Sequence, residues 1–209
     1  MTPEAFINAN TALMPPPLVP EIKLHMACEV LPLWRATEEE LAKVGMPPPY
    51  WAFAWAGGQA LARYILDRPS IVAGKRILDI GAGSGVVALA AALAGARVTA
   101  ADIDAFACAA INLNAHANRL SVEVTQDDLI GTTGDWELIL VGDLFYERPL
   151  AERLLLWLRT LNLPALLGDP GRNYFPKECV EKLATYQVQT TRELEDRDVR
   201  ETNVYQLTG

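Results

Sequence analysis

The sequence predicts an α/β fold, a mostly parallel sheet with helices on both faces and an antiparallel strand at its C-terminal edge. Three observations point there. The apolar run 77–80 stops at Gly81, Gly83 and Gly85, and an apolar, alanine-rich run over 86–93 follows. Such a run of segments reads as a buried parallel strand, a tight turn and a packed crossover helix, the first half of a βαβ unit. A second short apolar strand, 97–101, comes after that helix and ends at Asp102. Farther on, 187–194 and 200–207 read as an antiparallel pair joined by a charged turn.

The 209 residues suffice for one such domain with a modest extension. The extension, 1–46, is stiffened by Pro15, Pro16, Pro17 and Pro20, and alternation over 21–25 predicts a short strand. Thr37 and Glu40 have the spacing of a capping box that opens a short helix. The extension is expected to pack on the main domain, 47–209. There Tyr50, Trp51, Phe53 and Trp55 crowd ahead of Gly57 and Gly58, which open a helix over 59–66 that Pro69 ends. Each ring reads either as core packing between extension and domain or as part of a lid and aromatic pocket for an amine. Aromatic faces hold cations at about 0.5–2 kcal/mol each.

After the crossover helix, Gly95 is placed as a C-cap and Asp104 as the N-cap of a helix over 105–118. Asn114 and Asn118 read as helix-end and turn hydrogen bonders. Strands over 121–126 and 136–142 deliver Asp127 and the tetrapeptide Asp143-Leu-Phe-Tyr146 at their carboxyl ends. Ligands of doubly wound sheets sit outside those ends. Pro149 opens an amphipathic helix to 161, with Leu150, Leu154, Leu155, Trp157 and Leu158 facing inward. A strand over 164–167 runs into the turn Gly168-Asp-Pro-Gly-Arg172, and 176–184 reads as a last helix.

Lys+Arg 18 against Asp+Glu 26 leaves a net charge of −8, which argues against a protein built to grip nucleic-acid phosphates. Cys28, Cys108 and Cys179 are scattered without C-x-x-C spacing, and with only His25 and His116 as imidazoles no metal site is expected. The first residues lack the basic stretch of a signal peptide, and no apolar run reaches the roughly 18 residues of a membrane span. The expectation is a cytoplasmic protein that binds neither membrane nor nucleic acid.

The glycine turn says more. A dinucleotide site would place its third glycine or alanine where Val86 stands. The pattern present, Asp79-x-Gly81-x-Gly83-x-Gly85, resembles motif I of the seven-β-strand S-adenosylmethionine (SAM) methyltransferases. The resemblance implies a Rossmann-like, seven-stranded class I methyltransferase sheet. It also implies that the loop wraps the amino-acid part of SAM while Asp79 helps fix the ammonium. Asp102, ending the second strand, is placed to accept hydrogen bonds from ribose hydroxyls, and Ile103 to pack on the adenine. Asp127 or Gln126 is a candidate for the adenine amino group, with a loop cap as the equal alternative. Gly57 lets the backbone approach SAM, and Trp55 closes over it.

Four segments narrow the likeness: Pro48-Pro-Tyr-Trp-Ala-Phe-Ala-Trp-Ala-Gly-Gly-Gln59, Asp102-Ile-Asp104, Asp143-Leu-Phe-Tyr146 and Gly168-Asp-Pro-Gly-Arg172. Together, over most of 45–207, they resemble the lysine methyltransferases of the electron transfer flavoprotein β subunit, bacterial relatives included. That resemblance implies methyl transfer from SAM to lysine ε-amines of a protein partner, the flavoprotein β subunit, with a ribosomal protein as a further substrate. Asp143 would orient the amine, with Phe145 and Tyr146 beside it as catalytic residues and Trp51, Phe53, Asp169 and Arg172 lining the substrate pocket. A lysine of ordinary pKa about 10.4 must lose its proton first, at a cost of about 4 kcal/mol at neutral pH, which desolvation lowers. Two rivals share the SAM residues: a small-molecule amine N-methyltransferase and a non-catalytic SAM-binding module.

Overall fold

The computed structural model describes residues 2–27, 48–190 and 195–208. Its centre is a seven-stranded sheet: β3 (Arg76–Ile80), β4 (Arg97–Ala101), β5 (Glu123–Thr125), β6 (Leu138–Gly142), β7 (Ala165–Asp169), β8 (Val180–Gln189) and β9 (Val199–Leu207). The spatial order is β5-β4-β3-β6-β7-β9-β8, parallel from β5 through β7 and antiparallel where β9 inserts between β7 and β8. A small antiparallel pair, β1 (Ala12–Met14) and β2 (Leu24–Met26), stands apart from the main sheet.

Alternation along the strands sorts the core into two layers. Ile77, Leu138, Leu140 and Leu166 face α2 (Ala56–Asp67), α3 (Val86–Leu93) and α4 (Ala105–Asn118). Leu78, Ile80, Ile139 and Val141 face α5 (Arg148–Leu161) through Leu154, Trp157 and Leu158. Helix α3 is buried nearly all round, as its unbroken Val/Ala/Leu sequence requires, whereas α5 buries one stripe. Asp104 caps α4 by accepting from Phe106 N at 2.9 Å, and Gly95 follows α3 at φ +91°.

The N-terminal residues join this body directly. Val19, Ile22, Leu24 and Met26 are part of the first layer, and α1 (Pro3–Asn10) sends Ile7 into a cluster with Trp51, Phe53 and Ala110 of α4. Asn114 and Asn118 are the staples, and Asn118 is also the helix-end bonder expected, its Nδ2 donating to Asn114 O at 2.7 Å. Asn118 Oδ1 accepts from Lys23 N at 2.9 Å and Asn114 Oδ1 from His25 N at 2.7 Å, while Asn114 Nδ2 donates to Ser84 O at 2.9 Å.

One expected element is absent. In place of a helix over 176–184 there is a single 3₁₀ turn, Lys177–Cys179, followed by β8. The sequence Val180-Glu-Lys-Leu-Ala has fair helix propensity, but pairing with β9 runs the whole length of β8 and tertiary contacts prevail. A bulge between Lys182 and Ala184 shifts the alternation, so that Ala184, Tyr186 and Val188 pack toward α2. The other differences are in extent. The strand expected over 121–126 is only Glu123–Thr125, that over 21–25 is Leu24–Met26, and Gly168 and Asp169 finish β7 instead of opening a turn. The Thr37–Glu40 capping box and Cys28 lie outside the described residues.

Candidate active site

A cavity of about 540 Å³ opens beyond the carboxyl ends of β3, β4 and β6. The chain leaves β3 toward β4 on one side and β6 on the other, and this switch point is where doubly wound sheets bind ligands.

Its first wall is mostly backbone. Gly81, Gly83 and Gly85 all hold positive φ, +64°, +53° and +79°, a path that L side chains rarely take. Gly81 and Gly83 line the cavity, and a Cβ on Gly83 would meet nothing within 4 Å, so its bare backbone is open to a ligand. Gly85 does not line the cavity; it lies against Ile111 of α4 at the start of α3. Asp102 does line it, and its carboxylate accepts from Gly83 N at 2.8 Å and Asp104 N at 3.0 Å. Burial pushes its pKa up, and those two bonds work against the shift. Next to it Ile103 is 70% exposed, a bare apolar surface on the cavity wall. Asp127 lines the same wall and shares two hydrogen bonds with Thr125, while Gln126 Nε2 turns back to Ile103 O.

Asp79 differs from its expected place. Alternation points it to the α3 side of the sheet with Ile77, beneath the loop, where it is 1% exposed and outside the cavity lining. Its carboxyl accepts from Ala88 N at 2.9 Å in the first turn of α3. Burial pushes its pKa up to about 8. Under the loop and off the cavity lining, this carboxyl frames the loop and is not placed to hold an ammonium.

The opposite wall is made of side chains. Asp143 follows β6 at φ +63°, unusual for a residue with a Cβ, and is 6% exposed on the cavity wall. One oxygen accepts from Gly57 N, at the start of α2, at 2.8 Å; the other accepts from Arg172 Nε. That approach needs glycine: a Cβ on Gly57 would lie 2.3 Å from Gly168 O and 2.9 Å from the Asp143 backbone N. Gly57 therefore serves Asp143 and does not itself line the cavity. The Arg172 guanidinium lies 5.8 Å from the Trp55 ring centroid and donates through Nη2 to Glu195 at 2.7 Å. Burial works against this cation, but Asp143 and Glu195 outweigh it and hold its pKa above the ordinary value.

Of the expected aromatic residues, Trp55 and Tyr146 line the cavity, joined by Tyr50, whose ring centroid is 5.5 Å from that of Tyr146 and 5.8 Å from that of Trp55. Trp51 touches the cavity but is stacked on Phe106 and 3% exposed. Phe53 and Phe145 do not line it. Phe53 belongs to the cluster under α1, and Phe145 turns into the second layer, edge-on to Phe175 at 5.4 Å. Asp169 also lies behind the wall: it is fully buried, and Oδ1 accepts from Gly171 N and Arg172 N while Oδ2 has no hydrogen-bond partner. Burial, then repulsion from Asp143, pushes its pKa up to about 7.

These residues fit SAM. An open glycine backbone, a carboxylate with acceptor capacity to spare beside an exposed isoleucine, and room of suitable volume meet its amino-acid, ribose and adenine parts. Tyr50 takes the aromatic-pocket alternative that the sequence left open for each ring, whereas Glu195 sits inside a stretch that read only as a charged turn.

Over 59–140 the chain matches the family model described as ribosomal protein L11 methyltransferase (PrmA). It is 39% identical to the electron transfer flavoprotein beta subunit lysine methyltransferase of Xenopus laevis, over 97% of this chain and 86% of that one. The protein of the same name from Homo sapiens is also 39% identical, over 85% of this chain and 70% of its own. Among solved structures, the magnesium protoporphyrin IX methyltransferase of Synechocystis PCC 6803 with bound SAM superposes with a TM-score of 0.55. At 14% identity over 73% of this chain and 80% of that one, it is a likeness of fold.

Proposed function

The chain belongs to the electron transfer flavoprotein β-subunit lysine methyltransferase family, and from that premise we propose that it methylates lysine ε-amines of a flavoprotein β subunit. It is a SAM-dependent methyltransferase. The observation that carries the acceptor reading is Asp143, a carboxylate held from two sides at the wall of a cavity that Tyr50, Trp55 and Tyr146 also line.

Bound SAM supplies an electrophilic sulfonium methyl. The chain's own residues receive and orient the nucleophile. The rings of Tyr50, Trp55 and Tyr146 strip water from an entering lysine and so favour its neutral form. Burial raises the pKa of Tyr50 and Tyr146, keeping both hydroxyls protonated and the mouth free of added charge. Asp143 has lone pairs beyond those taken by Gly57 and Arg172, and one of them can accept an N–H of the amine. With Arg172 already bound, Asp143 serves as an orienting group more than as a base, and alignment supplies most of the acceleration. The net charge of −8 favours a protein partner over a nucleic acid, and we extend the proposal to a cytoplasmic enzyme. The ribosomal-protein model ends at residue 140, before Asp143, so it speaks for the cofactor half and not for the acceptor.

The test is intact-mass and peptide mass spectrometry after incubating the protein with SAM and purified flavoprotein β subunit, with ribosomal protein L11 and small amines alongside. Methyl increments on β-subunit lysines are expected. Transfer only to L11 or to a small amine, or no transfer at all, overturns the reading.

A further inference from the structure

We infer that Glu195 is a positioning residue for methyl transfer: it holds the Arg172 guanidinium and, through it, fixes the Asp143 carboxylate at the cavity wall. The inference rests on the role given to Asp143 above.

Glu195 lies just ahead of β9, far from motif I in sequence and only 4% exposed. Its Oε1 accepts from Arg172 Nη2 at 2.7 Å, and Arg172 Nε donates to Asp143 Oδ1. A guanidinium is planar, with its N–H groups in a rigid fork. One acceptor leaves it free to swing about that bond, but two acceptors on different edges fix the plane. Asp143 needs such a brace, because its φ of +63° is a strained conformation that persists only where its surroundings over-determine it. Gly57 N secures one oxygen, and Arg172 secures the other only while Glu195 holds Arg172. The same cation faces Trp55, so its plane also bears on the aromatic wall.

A purely structural role would run through Arg200. Its Nε forms an ion pair with Glu195 Oε2 at 3.3 Å, but among the described residues neither atom makes a hydrogen bond, so the well-formed contact of Glu195 is with Arg172.

The experiment pairs nitrogen-15 NMR of arginine side chains with kinetics. The Arg172 Nε–H signal is assigned by its loss in Arg172→Lys. In Glu195→Ala that signal is expected to shift and exchange with solvent at least about tenfold faster, and kcat to fall about 10–100-fold while the Kd for SAM stays within about twofold. Glu195→Gln, which keeps an acceptor oxygen, should retain most of both. Adding Glu195→Ala to Arg172→Lys should cost little further activity, because both break one linkage. Arg200→Gln should lower Tm yet leave the Arg172 signal and kcat unchanged. An unchanged Arg172 signal in Glu195→Ala, additive losses, or an Arg200→Gln variant that behaves like Glu195→Ala each overturn the proposal. Should Glu195→Ala not fold, Glu195→Asp, one methylene shorter, must displace the signal and lower kcat, or the proposal fails. If the wild type transfers no methyl to the flavoprotein β subunit, the proposed function falls, while the Arg172 signal still decides the role of Glu195.

Discussion

The two walls of the cavity solve the same problem, a fixed geometry around a small ligand, by opposite means. The wall of Gly81, Gly83 and Asp102 is assembled within a short stretch of chain, and its cross-links, Gly83 N to Asp102 and Gly81 N and Ala82 N to Ala101 O, join the ends of neighbouring strands β3 and β4. The wall of Asp143 and Arg172 is assembled from four distant places: the start of α2, the end of β6, the segment after β7 and the segment before β9. The first is rigid because the backbone has few alternatives there. The second has backbone anchors in Asp143 N to Gly168 O and Gly57 N to Asp143, and its side chains are linked by charged contacts with side-chain exposures of 17% for Arg172, 3% for Asp143 and 2% for Glu195.

Asp143→Ala should divide the walls most sharply. Transfer is expected to fall about 10²–10³-fold with SAM binding retained, read by methylation rate against calorimetric Kd; full activity would end the comparison. Gly57→Ala attacks the same wall without touching a charge. Its Cβ would collide with Gly168 O, and a loss of about 1–3 kcal/mol of unfolding free energy is expected in denaturant titration. Asp102→Ala should do the reverse of Asp143→Ala, weakening SAM about 10–100-fold in calorimetry, which corresponds to the roughly 1.5–3 kcal/mol of a charged hydrogen bond. The smallest effect tests the frame beneath the loop. Asp79 has a folded pKa of about 8 against an ordinary 3.8, so its contribution to stability is complete below the lower value and is lost as pH rises through the higher one. Asp79→Asn should therefore remove part of the fall in Tm between pH 5 and pH 9, flattening the profile relative to the wild type, with little change in SAM affinity at neutral pH.

That contrast also explains what could be read before the fold was known. The strand, glycine turn and helix over 76–93 emerged correctly because spacing alone dictates them. The position of Asp102 and Ile103 at the cavity could be read in the same way, since the residues that follow a parallel strand of such a sheet lie outside its carboxyl end. The place of Asp79 beneath the loop was not legible, because a motif gives the residue but not the face of the sheet to which it points. Phe145 failed in the same way: within Asp143-Leu-Phe-Tyr146 only the fold decides which rings meet the cavity and which join Phe175. Glu195 carried no local signal at all, its meaning arising from a partner in another loop. The helix expected over 176–184 lost to a ladder whose other half lies in β9.

The insertion of β9 between β7 and β8 has a consequence for how the molecule is made. During synthesis β8 leaves the ribosome before β9, yet it cannot dock beside β7, because the slot between them belongs to a strand still unmade. Until then β7 presents a bare, sticky edge to the cell.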